Sequence, residues 1–264
     1  MSDNTKLVVT LEDGVKRITF NRPERRNAID FEMFTQLAAA IHEAAEDDSR
    51  VLVLAGAGDS FCSGLDLTSI DPAGVASLDV AAAVRELINP AITSLRALAK
   101  PVIARVHGTA VGIGFSYVLA SDLCVASDTS VFSQSFVRIG LMPDGGSTYF
   151  LPRLVGRARA FELMASGEQI NAQQALALGL INRVVPYAEL DATVNQMAAS
   201  LAQSPALSLA KIKAALSRTE ASDLAAALDF EAEGQNECFH SADFLEGVQA
   251  FMQKRRAVFG KKSG

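Results

Sequence analysis

The chain has 264 residues, 49% of them apolar, and a formal net charge of −6. That length suits one large domain or one and a half with a sizeable core, and the acidic balance argues against a general nucleic-acid binder. Charges interrupt the alanine-rich stretches, Cys62, Cys124 and Cys238 fall in no metal or redox spacing, and M-S-D-N-T-K has no apolar core for a signal peptide, so we expect no membrane span and a reduced, cytoplasmic setting.

Residues 6–20 read as a hairpin turning at Glu12-Asp13-Gly14, and Asn21-Arg22-Pro23-Glu24 breaks it. From Asp30, a fitting N-cap, the helical period places Met33, Phe34, Leu37 and Ile41 on one face. Val51–Ala55 is continuously apolar and reads as a buried parallel strand. Gly56–Ser60 is a loop, and Phe61-Cys62-Ser63-Gly64-Leu65-Asp66-Leu67 follows it. Asp71-Pro72-Ala73-Gly74 opens a less patterned segment, and a helix is expected over about 80–98.

The most informative stretch is 100–146. Pro101 precedes the apolar run Val102-Ile103-Ala104, with Val106 beyond it, which ends at His107-Gly108. Gly112 and Gly114 then lead into the apolar segment Phe115–Ala120. The pattern is strand, glycine turn, helix start, and the free N–H groups of a helix start can bind an anion or a developing oxyanion. A second strand covers Leu123–Ala126, and Met142-Pro143-Asp144-Gly145-Gly146 forms a turn. Ser147–Val155 and Gly156–Ser166 read as two short helices. Asn171–Leu178 is a helix stopped by Gly179, and Leu180–Val185 is a short strand. Helices over 187–203, 205–218, 222–238 and 243–257 complete the chain. This is an α/β pattern with a core over 1–186 and a helical part over 187–264. Another subunit would bury the apolar faces of the latter.

The candidate motifs narrow the chemistry. Gly112-x-Gly114 lacks the third glycine of a dinucleotide fingerprint, because position 117 is Tyr117. His42, His107 and His240 form no ligand pair, so no metal is expected. Ser116 lacks a nucleophile-elbow context. Asp144 has two readings: a turn or capping residue, or a carboxylate held beside the glycine-turn pocket. The residues alone leave both open.

Several segments together resemble the enoyl-CoA hydratase/isomerase (crotonase) superfamily over nearly the whole length. They are N-R-P-E-R-R-N-A-I (21–29), F-C-S-G-L-D-L (61–67), K-P-V-I-A-R-V-H-G-T-A-V-G-I-G (100–114), G-L-M-P-D-G-G-S-T-Y-F-L-P-R-L-V-G (140–156) and A-L-A-L-G-L-I-N-R-V-V (175–185). The resemblance implies a crotonase spiral of β-β-α units with a helical C-terminal trimerisation region. It implies a homotrimer or homohexamer acting on an acyl-CoA or enoyl-CoA thioester, with no cofactor beyond the coenzyme A of the substrate.

The family stabilises a thioester enolate with two backbone N–H groups, and these map onto Ser63 and Ile113. Ile113 is a departure, since that position is usually Gly or Ala and a β-branched side chain there would crowd the site. On the CoA side the resemblance implies Arg25, Asn27 and Ala28, then Asp66 and Leu67, with Phe251 and Lys254 reaching over from a neighbouring subunit. The two glutamates of a syn hydratase map onto Ser116 and Phe136, and neither residue can do carboxylate work. Hydration is therefore not expected.

Asp144 stands where the family's single-aspartate isomerases, among them the ring-epoxide isomerases of phenylacetate breakdown, carry their catalytic group. An apolar pocket from Phe115, Phe136, Leu141 and Tyr149 would raise its pKa and fit it to move a proton between two carbons. A related dehalogenase chemistry needs a tryptophan, and the chain has none. Two alternatives are a hydratase-like lyase of fatty-acid or aromatic-acid degradation and a non-catalytic CoA-thioester-binding subunit.

Overall fold

The computed structural model describes residues 5–70, 78–219 and 222–260. The less patterned segment that opens at Asp71 lies almost wholly outside them. β1 (Leu7–Glu12) and β2 (Val15–Phe20) form the expected antiparallel hairpin. Asp13 and Gly14 both have positive φ, the geometry that matches the twist of two strands joined by a two-residue turn. β3 (Val51–Gly56), β4 (Val102–Val106), β6 (Leu123–Ser127) and β9 (Arg183–Val185) extend the sheet in parallel, in the order β1-β2-β3-β4-β6-β9.

This sheet is covered on both faces, so its central strands are apolar without alternation. Ile18, Leu52, Leu54, Val102 and Ala104 point into the main core. That core also takes Met33, Phe34, Leu37 and Ile41 from α1 (Phe31–Glu46), whose N-cap Asp30 accepts a bond from the Met33 N–H. Val51, Val53, Ile103 and Val125 point the other way, onto Leu190, Val194 and Ala198 of α7 (Tyr187–Ala202).

The helix expected near 80–98 is present with an irregularity. α2 (Val80–Ala83) and α3 (Asn89–Ala97) are joined by a π-helical segment, Val84–Ile88. The glycine turn is more structured than the sequence pattern indicates. β5 (Thr109–Val111) lies between β4 and α4 (Ile113–Ala120). It starts a second sheet, β5-β7-β8, with β7 (Val131–Ser133) and β8 (Ile170–Asn171). α5 (Ser147–Ser166) is two helical pieces broken at Gly156, as its sequence suggests. α6 (Ala172–Ala177) carries a capping box from Asn171 and Gln174.

α8 (Ala206–Thr219), α9 (Leu224–Phe239) and α10 (Ala242–Met252) form the C-terminal group. Two expected elements are shorter. The strand at 180–185 keeps only its last three residues, because the Asn182 side chain and backbone are bonded to Cys124. α10 stops five residues early, where the Lys254 backbone turns to φ 52.

Candidate active site

α4 is apolar and buried throughout, and the chain enters it from β5 through Gly112 at φ 56. Ile113 is the first helical residue, so its N–H has no partner within the helix, and it donates to no acceptor among the described residues. The segment 61–67 runs beside β5: Cys62 donates to the Thr109 carbonyl and Val111 to the Cys62 carbonyl. The two backbones come close enough that a Cβ on Gly112 would lie 3.9 Å from the Gly64 Cα.

The Ser63 N–H, expected as the first oxyanion donor, is not free. The Ser63 N–H is already bonded to the Arg26 carbonyl at 3.0 Å. Gly64 and Asp66 pair with Ile29, through its N–H and its carbonyl respectively. The Leu65 N–H, caught between these bonds, has no acceptor among the described residues. Leu65 and Ile113 therefore each bring an unpaired N–H to the wall of a pocket of about 220 Å³.

The same pocket contains Asp144. The capping explanation fails here. The N-cap of α5 is Gly146, with no side-chain cap bond. Asp144 Oδ1 is buried with no hydrogen-bond partner among the described residues. Burial away from water disfavours the charged form and pushes its pKa up to about 6, outweighing the opposing bond from its own backbone N–H.

The pocket wall is apolar, as expected, but differently composed. Phe136 and Leu141 line it, together with Phe34, Leu65, Leu67, Ile88 and Ile139. Phe115 does not: it packs inward against Phe132, ring centres 5.2 Å apart. Tyr149 does not either. It sits edge-on to Phe150 with Arg153 stacked 3.6 Å over its ring. Ser116 is wholly buried behind the turn and bonded to protein partners. Phe34 and Ile88 escape the sequence reading because a core face and a wall face of one helix have the same apolar signature.

The residues expected on the CoA side divide. Leu67 is exposed at the pocket rim, and Arg25 is exposed nearby, its carbonyl taking the Ser63 hydroxyl bond. Asn27 is buried and shapes the loop instead. It accepts from the Arg22 N–H and donates to the Ala57 and Ser60 carbonyls. Ala28 is buried, its carbonyl held by Arg22. Asp66 accepts from the Thr68 hydroxyl at 2.6 Å, is ion-paired to Arg22 at 2.8 Å and caps the Thr68 N–H, and these bonds, the hydroxyl's foremost, outweigh the cost of burial and hold its carboxyl below the usual range. Within one chain Phe251 and Lys254 stand apart, on and just after α10. His107 is held by Arg105 and the Gly58 carbonyl. Among the described residues no three His, Cys, Asp or Glu side chains gather into a metal-sized cluster.

The chain is similar to known proteins over nearly its whole length. The family model for enoyl-CoA hydratase/isomerase matches residues 10–262. The 1,2-epoxyphenylacetyl-CoA isomerase of Escherichia coli (strain K12) is 41% identical over 255 residues, covering 96% of this chain and 97% of that one. The trans-2-decenoyl acyl-carrier-protein isomerase of Streptococcus mutans is 32% identical over 263 residues, covering 98% of this chain and 100% of that one. The crystal structure of an enoyl-CoA hydratase from Polaromonas sp. JS666 superposes with a TM-score of 0.91 at 34% identity, covering 96% of this chain and 99% of that one. Isomerase and hydratase both occur among these names.

Proposed function

The chain belongs to the enoyl-CoA hydratase/isomerase family and has its crotonase fold, and within that family we propose that it is an isomerase moving a double bond in an acyl-CoA thioester, with Asp144 as the proton shuttle. One observation carries this reading. Among the described residues, a single carboxyl with a buried, unsatisfied oxygen shares an apolar pocket with the unpaired backbone N–H groups of Leu65 and Ile113.

The thioester carbonyl oxygen accepts from the Leu65 and Ile113 N–H groups. Asp144 removes a proton from C2 of a 3-enoyl thioester, and the electron pair spreads over the dienolate and its oxygen. The same carboxyl returns the proton at C4, leaving the 2-enoyl isomer and the original carboxylate. Fixed donors aimed at the developing charge are worth roughly 10²–10³ in rate each. A carboxyl pKa near 6 suits both halves of the transfer better than an ordinary aspartate does.

Hydration would need a second acid–base group and a held water. Phe136 offers a hydrocarbon ring within 3.8 Å of where a Gly112 Cβ would be, and the Ser116 hydroxyl is taken up by internal bonds. The working form is a cytoplasmic homotrimer or homohexamer, with Phe251 and Lys254 of one subunit lying along the CoA of the next.

The test is a panel of 3-enoyl-CoA thioesters and a ring-epoxide phenylacetyl-CoA, with products read by mass spectrometry and NMR. We expect one of them to isomerise and crotonyl-CoA to hydrate very slowly. Crotonyl-CoA hydration within the usual enzyme range of roughly 1–10³ s⁻¹ would refute the reading.

A further inference from the structure

Behind the Asp144 turn lies a file of three buried polar side chains, Ser116, Ser147 and Gln134, none of which takes part in the proton transfer. Gln134 Nε2 is 2.8 Å from Ser147 Oγ, which is 2.7 Å from Ser116 Oγ. Ser116 Oγ lies 3.0 Å from the Asp144 carbonyl oxygen and 3.3 Å from that of Gly112. The ends of the file fix the direction of donation. Both carbonyls only accept, so the Ser116 proton goes to one of them, and Asp144 is nearer. The Ser147 hydroxyl then donates to Ser116 Oγ and itself accepts from the Gln134 amide. The Asp144 carbonyl also takes the Ser147 N–H at 3.2 Å, so both its lone pairs are engaged.

One hydroxyl thus joins the two halves of the site. Ser116 stands on the first turn of α4, whose first N–H is that of Ile113. Its bond ends on the main chain of Asp144. The turn it grips is built on two glycines, Gly145 at φ 59 and Gly146 at φ 78 in succession, and glycine has wide backbone freedom. The carboxyl has no side-chain or neighbouring main-chain bond on Oδ1 to steady it. Its place therefore depends on the backbone behind it.

We propose that Ser116 is a positioning residue that, through Ser147 and Gln134, fixes the separation between the Asp144 carboxyl and the Ile113 N–H. The inference rests on the isomerase reading for its kinetic consequence and on geometry alone for its mechanical one. Small displacements of a catalytic group are costly, because rate depends steeply on the distance and angle of the reacting atoms. Arg138 on the pocket wall and the buried Tyr117, which feels the Asp144 charge, are titratable groups near the carboxyl, and both stay in place in the variants below.

The experiment compares Ser116→Ala, Ser147→Ala and the double variant with the parent protein. Each single change should lower kcat about tenfold with KM moving less than about twofold, and the double should be no worse than the poorer single. The acid limb of kcat should shift downward as the loosened carboxyl gains water. Amide exchange at Ser147 should quicken in Ser116→Ala. Parental kcat, acid limb and Ser147 exchange in Ser116→Ala would overturn the proposal. So would a loss of kcat with the acid limb and exchange unmoved, since that is a packing defect only. Should the parent turn over no substrate, the isomerase reading falls, and Ser147 exchange alone then decides whether Ser116 holds the turn.

Discussion

At the scale of single residues, Asp144, the base of the proposed isomerase, should also weaken the fold. A carboxyl whose folded pKa is about 6 binds its proton more tightly folded than unfolded, where the value is near 3.9. Between those values the folded state holds more protons, so stability falls as pH rises through the window and stays lower above it. Asp144→Asn removes the buried charge and keeps the shape. It should raise the melting temperature at pH 7.5, by the equivalent of about 1–3 kcal/mol, and change it much less at pH 4.5. It should keep CoA-thioester binding and lose isomerisation by about 10²–10⁴. In the parent, activity should decline as pH drops below about 6, where the base is protonated. An ordinary turn aspartate would show none of this, so equal melting temperatures at pH 7.5 together with intact turnover would dismiss it as the base.

At the scale of elements, the site is two helix starts packed through glycines. Ile113 departs from the usual small residue, and the structure accommodates its side chain under Gly145. A Cβ built on Gly145 would fall 2.3 Å from Ile113 Cδ1 and 2.8 Å from Ser116 Cβ, at a φ of 59. Gly145→Ala should therefore cost about 2 kcal/mol or more, from the clash and the left-handed backbone together. Ile113→Val deletes the nearer clashing atom, so it should recover part of that loss in a double-mutant cycle. Additive losses in chemical denaturation would show that the two residues do not share the space.

The same scale shows what the sequence makes legible. α1 is readable because its cap and its period agree, Asp30 before Met33, Phe34, Leu37 and Ile41. The strand β3 is readable because both its faces are buried. β5, β7 and β8 have two or three residues each, too few for alternation to register. The free donor at Leu65 is invisible for another reason. That Ser63, Gly64 and Asp66 are engaged and the Leu65 N–H is not is decided by bonds to Arg26 and Ile29, more than thirty residues upstream. Motif matching finds the loop, and only the pairing singles out the residue.

At the scale of the whole molecule, the C-terminal helices leave a large apolar surface uncovered. Phe251 is 85% exposed, Met252 78%, Leu224 74% and, on α5, Phe161 72%. Phe239, Phe244, Val248, Phe251 and Phe259 also line an open groove of about 510 Å³. Scattered exposed apolar residues are ordinary, but a contiguous aromatic surface is the mark of an interface. Burying each such side chain is worth about 1.5–3 kcal/mol, enough in sum to offset the entropy lost on association. Charge cannot be the driving force between identical chains of net −6, since it opposes their approach. We therefore expect light scattering at micromolar concentration to give three or six times 27.9 kDa. The assembly should survive added salt, which screens repulsion and leaves apolar contacts intact. Phe251→Glu should shift it towards smaller species, placing a charge where the expected assembly would bury a ring. A monomer of the parent protein at that concentration would contradict the assembly, and with it the supply of Phe251 and Lys254 to a neighbour's CoA.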